Sequence, residues 1–259
     1  MLNITVLVKR VPDTASRVEI DGATGIRSDS GHIINPYDEF ALEEALRIKE
    51  RFGASVTVMT AGAQGGEDIL KKCVAMGADA AVCIKDARLS GASAMTIAAA
   101  IAQVISKAPF DLVLAGRRAT DDGAGIVGAA VAAFLDIPLV SSIKKLDIDP
   151  VGKKATAHSE TDYGTEVVEC GLPVLFTATK GLNEPRYPTL ANIMKSKKFD
   201  IIFVDLDRAQ GLIARLKGSL TRESLAYPVI RRKNVLLKGE AAWQVKEAVK
   251  AIKDEVKLI

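Results

Sequence analysis

Up to about Leu135 the chain alternates short apolar runs with longer segments of helical period, and this alternation limits the fold more than any other feature. Ile4 to Val8, Val56 to Met59, Ala80 to Ile84 and Leu112 to Ala115 contain no charged residue and are rich in aliphatic side chains. Strands covered on both faces read this way, because neither side of the pleat can be polar. Asn35 is placed to N-cap a helix that has Pro36 at its first position and Asp38 and Glu39 in its first turn. Phe40, Leu42, Ala45, Leu46 and Ile48 then fall on one face, and the segment ends near Gly53. A glycine-rich turn, Gly62 to Gly66, leads into a helix from Glu67 to Met76 closed by Gly77. An alanine-rich helix covers about Ala92 to Ser106, and another of small residues follows the loop Gly116 to Gly125 and reaches about Leu135. Ala98-Ala99-Ala100 and Gly128-Ala129-Ala130 suit close packing of helix on sheet. Strand-helix repetition of this kind predicts an α/β fold whose parallel sheet is covered on both faces. A small hairpin is expected from Val18 to Arg27 around Asp21-Gly22-Ala23.

After Pro138 the pattern changes. Ile143 to Ile148, Ala155 to Ser159, Glu166 to Cys170 and Val174 to Ala178 read as antiparallel strands, with turns at Asp149-Pro150-Val151-Gly152 and Tyr163-Gly164. Ile201 to Val204 is a last short strand. A polar, basic stretch follows, and about Lys238 to Val256 forms an amphipathic helix with Ala242, Val245, Ala248, Val249 and Ile252 on one face. That stripe packs either on its own domain or on a partner. The expected organisation is a parallel-sheet domain with an antiparallel β extension over residues 1–190, and a tail with a C-terminal arm over 191–259.

Composition removes several function classes. Lys and Arg number 35 against 32 Asp and Glu, a net charge of +3, which argues against a dedicated nucleic-acid binder. Lys195 to Lys198 and Arg231-Arg232 read as solvated surface. Cys73, Cys83 and Cys170 have no CxxC spacing, so they read as buried small hydrophobes in a reducing compartment. With only His32 and His158 available, a histidine metal site or catalytic triad is not expected. No apolar stretch of membrane-spanning length occurs and the N-terminus opens directly into a strand, so the expectation is a soluble, cytoplasmic protein.

One segment has the chemistry of a ligand site. In Asp111 to Gly128, a parallel strand ends at Ala115, a glycine-rich loop follows, and a helix N-terminus is expected near Gly123 to Gly125. Free amides and the positive end of a helix dipole favour a phosphate there, and ligands bind at the carboxyl ends of parallel strands. Asp121 and Asp122 either cap the helix or bond a ribose or metal, with capping favoured for at least one. No GxGxxG, Walker A or nucleophile-elbow pattern is present.

A second segment stands apart. Leu182-Asn183-Glu184-Pro185-Arg186-Tyr187-Pro188-Thr189-Leu190-Ala191-Asn192-Ile193-Met194-Lys195 is stiffened by two prolines yet carries large apolar side chains. Such a loop is either a core plug or a docking tip. This string closely resembles the signature segment of the electron transfer flavoprotein β subunit. The resemblance extends from Val6-Leu7-Val8-Lys9-Arg10-Val11 through Asn35-Pro36-Tyr37-Asp38-Glu39, Met76-Gly77-Ala78-Asp79 and Asp111-Leu112-Val113-Leu114-Ala115-Gly116, and it fades beyond about Asp205.

The resemblance implies a Rossmann-like adenine-nucleotide-binding domain. It implies a β subunit that pairs with an α subunit, the latter holding most of an FAD, and that passes electrons from flavin dehydrogenases, such as acyl-CoA dehydrogenases of fatty acid oxidation, to a quinone-linked oxidoreductase. In that family the loop at Gly116 to Gly128 binds AMP, or a second FAD in electron-bifurcating members. The matching positions are Leu7, Asn35, Pro36, Tyr37, Asp38, Ala61, Gly116, Ala119, Asp121 and Asp122, and Gly123, Gly125 and Val127 complete the expected nucleotide site. Leu190 matches the leucine that docks on partner dehydrogenases, with Arg186, Tyr187, Ile193 and Met194 around it. The C-terminal part matches an arm that wraps the α subunit. The chain departs from the pattern at Gly123, Ala124 and Ile126, where polar side chains are usual, which orders the expectations as AMP, then FAD, then an empty site. Arg117 and Arg118 either compensate by pairing with a phosphate or face solvent. A stand-alone adenine-nucleotide sensor of the universal stress type is the competing class.

Overall fold

The structure, a computed structural model, describes residues 1–22, 25–28, 31–204, 206, 224–229 and 235–256. Ala23 of the expected hairpin turn and the Arg231-Arg232 pair lie outside them. The chain divides into two compact units, Met1–Leu225 and Ala226–Ile259.

The first unit is built on a nine-stranded, mostly parallel sheet. Its central strands are β1 (Asn3–Leu7), β6 (Ser55–Gly62), β7 (Ala80–Lys85) and β8 (Leu112–Gly116). Including β9 (Leu139–Asp149), β10 (Lys154–Thr161), β11 (Gly164–Gly171), β12 (Val174–Ala178) and β13 (Ile202–Val204), the order is β11-β10-β9-β12-β8-β1-β6-β7-β13. Two small ribbons stand outside it, β2 (Arg10–Pro12) with β5 (His32–Ile34), and β3 (Val18–Asp21) with β4 (Gly25–Ser28).

Helices cover both faces, as the continuous apolar runs demand. On one face α1 (Pro36–Phe52) and α2 (Glu67–Met76) bury Leu42, Leu46 and Leu70 against Ile4, Val6, Leu112, Leu114 and Phe176. On the other, α3 (Ala94–Ile105) and α4 (Val127–Leu135) bury Ala98, Ile101 and Val131 against Leu7, Val113, Ala115 and Leu175. Successive strand residues thus enter opposite cores. Small residues set the spacing on the α4 side: a Cβ on Gly128 would meet Thr177 Cγ2 at 3.0 Å. α5 (Leu190–Ser196) begins at the N-cap Thr189, whose hydroxyl accepts from Asn192 N–H at 3.3 Å.

One expectation is corrected. Val174 to Ala178 is not antiparallel: β12 pairs parallel with β8 on one side and with β9 on the other. Every residue of β12 is buried, the pattern of a strand in the middle of a sheet rather than of a half-exposed extension. β9 also begins earlier than expected. Its first half runs parallel to β12 and its second half antiparallel to β10, so it joins the parallel sheet to the antiparallel β9-β10-β11 extension. Ser142, at the change of partner, has φ 55°.

In the second unit, α6 (Ala241–Ala251) continues into a π-type turn, Ile252–Val256. No residue of α6 is buried, and Trp243, Val245 and Val249 are exposed. No helix among the described residues is long and apolar enough to cross a membrane.

Candidate functional site

The chain runs outward from β1 to β6 and β7, then crosses back to β8 on the other side of β1. The order of strands therefore reverses between β1 and β8, and such a switch point opens a crevice at the carboxyl ends of the strands. A cavity of about 370 Å³ lies there. Leu7, Met59, Ala61, Leu89, Ile97 and Ile101 make an apolar end, while Lys9, Arg117, Arg118, Asp121 and Asp122 line it with charge.

A buried carboxylate joins the elements around this crevice. Asp38, in the first turn of α1, accepts the backbone N–H of Lys9 at 2.7 Å and that of Gly116 at 3.0 Å. It also accepts from Asn35 Nδ2 at 2.9 Å. One side chain thereby ties together the ends of β1 and β8 and the start of α1. Burial pushes the Asp38 carboxyl up to about 7, against the pull of those hydrogen bonds. Gly116 meets it at close range: a Cβ there would lie 2.2 Å from Asp38 Oδ1 and 2.7 Å from Tyr37 Cβ.

Asn35 occupies the N-cap position of α1, but its side chain makes no capping bond, contrary to the sequence reading. It reaches across instead, donating to the Arg118 carbonyl at 2.9 Å and accepting from Thr120 N–H at 3.2 Å. The helix gives up a cap so that the loop after β8 is held to it.

Asp121 and Asp122 do not cap α4 either, whose N-cap is Ile126 with no side-chain cap bond. They bracket Lys9 Nζ at 2.8 and 2.9 Å, and Asp122 Oδ1 also accepts from Ala124 N–H at 3.0 Å. Partial burial pulls the Lys9 ammonium down, but the two carboxylates outweigh it and hold it above its ordinary value. Gly123 and Gly125 take φ of 63° and 64°, a left-handed backbone that favours glycine, as the loop turns into α4. α4 so begins at Val127, later than expected, and its uncapped N-terminus faces the crevice. An apolar slot beside uncapped amides suits a flat ring carrying an anionic tail.

Of the residues singled out in the sequence, Leu7, Asn35, Asp38, Ala61, Gly116, Ala119, Asp121, Asp122, Gly125 and Val127 line this cavity. Pro36, Tyr37 and Gly123 do not. Tyr37 instead lies under the Arg118 guanidinium, 5.6 Å from ring centroid to Cζ. Lys9, two residues past the end of β1, lines the cavity too, although the sequence marks it only within the Val6 to Val11 string and not as a site residue. Met59, Leu89, Ile97 and Ile101 line it as well, and no local signal separates a cavity wall from a core wall.

The proline-stiffened loop is held by α1. The Arg186 guanidinium forks onto Glu43 (Nε–Oε2 2.8 Å, Nη2–Oε1 3.0 Å) and reaches Glu50, while Arg186 N–H also bonds Glu43 Oε2 at 3.1 Å. Burial pushes the Glu43 carboxyl up, but Arg186 and Arg47 outweigh it and hold it below its ordinary value. Asn183 Nδ2 donates to the Phe40 carbonyl at 3.0 Å and to Glu44 at 2.9 Å. Arg186 is thus engaged within the chain as an anchor. Beyond it Tyr187 is 94% exposed, Leu190 76% and Met194 56%, with Ile193 at the edge of the same surface. Leu190 plugs no core in this chain.

Arg186→Ala would strand Glu43, whose side chain is only 4% exposed, with Arg47 as its remaining partner. We expect a loss of about 2–3 kcal/mol, between the values for exposed and buried pairs. Urea denaturation measures it, and Arg186→Lys should recover less than half, because an ammonium cannot make the fork. A change below about 0.5 kcal/mol, typical of a surface pair, would remove the anchoring role.

A family model described as an electron transfer flavoprotein domain matches residues 24–209. The chain is 38% identical over 261 residues to the electron transfer flavoprotein subunit beta of Bacillus subtilis (strain 168), covering all of both chains. It is 34% identical over 237 residues to protein FixA of Azotobacter vinelandii, covering 87% of this chain and 84% of that one. With the caffeyl-CoA reductase-Etf complex subunit CarD of Acetobacterium woodii it shares 42% identity over 197 residues, 74% of each.

Proposed function

The chain belongs to the electron transfer flavoprotein family, on its β-subunit side, and from that premise we propose that it is the β subunit of a heterodimeric electron carrier. It pairs with an α subunit that holds most of an FAD. It takes electrons from a flavin dehydrogenase, of which the acyl-CoA dehydrogenases are the expected class, and delivers them to a quinone-linked acceptor. Bound flavin supplies the redox chemistry. This chain's residues hold an adenine nucleotide, AMP or the adenosine half of a second FAD, in the crevice between β1 and β8, and they present Leu190 to the dehydrogenase. The C-terminal unit, with its unburied α6, serves as the arm that grips the α subunit.

The observation that carries this reading is the exposed apolar tip on an anchored loop. Exposing Tyr187, Leu190 and Met194 on one surface has a cost that a partner face offsets, while the Arg186 fork means little ordering remains to be done on binding. Leu190→Ala should therefore leave the melting temperature within about 2 °C of the parent, since a surface truncation rarely exceeds about 0.5 kcal/mol. It should weaken docking to the dehydrogenase about 30-fold, the size of a hot-spot truncation. Stopped-flow flavin reduction by the dehydrogenase measures it, and unchanged kinetics would remove the docking role. The nucleotide is tested by purifying the chain with its co-expressed α subunit, denaturing the complex and identifying the released ligands. FAD with AMP, or a second equivalent of FAD, supports the reading. ATP on a chain that captures no α subunit favours the sensor class.

A further inference from the structure

At the root of the proline-stiffened loop one buried polar atom is left over. Asn183 Nδ2 directs its hydrogens at α1, donating to the Phe40 carbonyl at 3.0 Å and to Glu44 Oε2 at 2.9 Å. Asn183 Oδ1 is buried and has no hydrogen-bond partner among the described residues. The Phe40 carbonyl can only accept, so it fixes the amide with its nitrogen toward α1 and leaves the oxygen in want of a donor. Buried side-chain oxygens are seldom left so, because desolvation then goes uncompensated.

The donor is at hand in Glu44. This residue lies in the middle of α1, is 8% exposed, and already accepts one Asn183 hydrogen. Burial pushes its carboxyl above the ordinary 4.5; the Asn183 bond and Arg47 pull against that, and the like charges of Glu43 and Asp147 add to it. Glu43 and Arg47 belong to α1, and Arg186 of the loop pairs with Glu43. Asp147 comes from β9, with Lys145 of the same strand 3.2 Å away and Arg51 of α1 3.9 Å away. A protonated carboxyl offers one donor and one acceptor side by side, which is the complement of a carboxamide.

We propose that Glu44 is a proton-operated latch for the docking loop. Protonated, it accepts from Asn183 Nδ2 and donates to Asn183 Oδ1, closing a two-bond pair. Ionised, it keeps the first bond and leaves Oδ1 unmatched. The folded chain holds this proton more tightly than the unfolded chain does, so the latch is fullest below the ordinary glutamate value and is lost as pH rises through the raised one. The loop that carries Tyr187 and Leu190 is therefore tied to α1 more firmly on the acid side. Glu44 acts through Asn183 and is a positioning residue. Its effect on dehydrogenase binding rests on the docking role proposed above, but the latch itself does not.

Glu44→Gln tests the latch, because a glutamine side chain carries both the donor and the acceptor at every pH. Hydrogen exchange of the Arg186 amide is followed in the full-length parent and variant at equal pH. That comparison cancels the intrinsic pH dependence of exchange and the titration of Asp38, which both proteins share. At about pH 5 the two should exchange within about twofold of each other, and toward about pH 8 the parent should exchange about fivefold faster, the factor for one net hydrogen bond. A ratio that stays constant with pH would overturn the latch. NMR of the Glu44 carboxyl carbon in the parent needs no substitution: its midpoint should lie above 4.5, and a midpoint at or below that value would also overturn the latch. Should Leu190→Ala leave dehydrogenase kinetics unchanged while both results hold, the docking role falls and the latch stands.

Discussion

Gly116→Ala is expected to lower the melting temperature by about 10 °C, equivalent to about 3 kcal/mol in a chain of this size, and to weaken nucleotide binding at least tenfold. The added methyl would sit 2.2 Å from Asp38 Oδ1, 2.7 Å from Tyr37 Cβ and 2.8 Å from the Tyr37 carbonyl carbon. Asp38 Oδ1 ends a side chain pinned by three hydrogen bonds, and the two Tyr37 atoms are fixed to the backbone of α1, so relief requires moving α1 off β8. That movement breaks the Gly116–Asp38 hydrogen bond and distorts the cavity at once. Overpacking alone costs about 1–3 kcal/mol, and a buried hydrogen bond left unmade adds to it. Thermal melting and nucleotide titration on the same preparation check both parts. A variant melting within about 2 °C of the parent would mean that α1 yields easily and that glycine is not required there.

Asp38→Ala is the second large effect. Removing the carboxylate leaves the N–H groups of Lys9 and Gly116 without their acceptor and takes from Asn35 Nδ2 one of its two. At about 1–3 kcal/mol for each unsatisfied buried donor, partly relieved by water entering the space, the expected loss is about 3–5 kcal/mol. The pH dependence has a definite sign. Asp38 titrates near its ordinary 3.8 when unfolded and at about 7 when folded, so between those values the folded state holds the proton and the unfolded state has lost it. Its contribution to stability is therefore greatest below about pH 4, falls by up to about 1.4 kcal/mol per pH unit as pH rises, and levels above about pH 7. Asp38→Asn does not titrate. It keeps one acceptor oxygen and turns an NH2 toward a backbone N–H, so it should be destabilised at pH 5, with the gap to the parent narrowing toward pH 8. Urea denaturation of the two proteins across that range measures the gap. A gap that widens with pH would reverse the assignment.

These two predictions concern residues the sequence had marked, though for a different reason. Asn35, Asp38 and Gly116 were expected near a ligand. In the structure they also hold the crevice open, through bonds that span 78 residues from Gly116 to Asp38 and 83 from Asn35 to Arg118. A side chain that spends its polar atoms on the frame has fewer left for the ligand, and its residue type alone does not reveal the choice. Arg186 is similar: its fork onto Glu43 crosses 143 residues.

The local elements and the faces they bury are legible in short stretches of the chain. Val6, Leu112 and Leu114 read as strand core, Leu42 and Leu46 as the inner face of α1, and the glycines after β8 as a turn, because periodicity, caps and left-handed positions are written within a few residues. The sequence also marked Leu190 as a tip or a plug. The fold leaves Leu190 exposed, runs β12 parallel in the middle of the sheet and closes Lys9 on Asp121 and Asp122, none of which the local pattern shows. A strand's direction and a carboxylate's partner depend on which distant segments the sheet order brings alongside. No short-range pattern carries that information, since the same apolar run pairs equally well in either direction until its neighbours are in place.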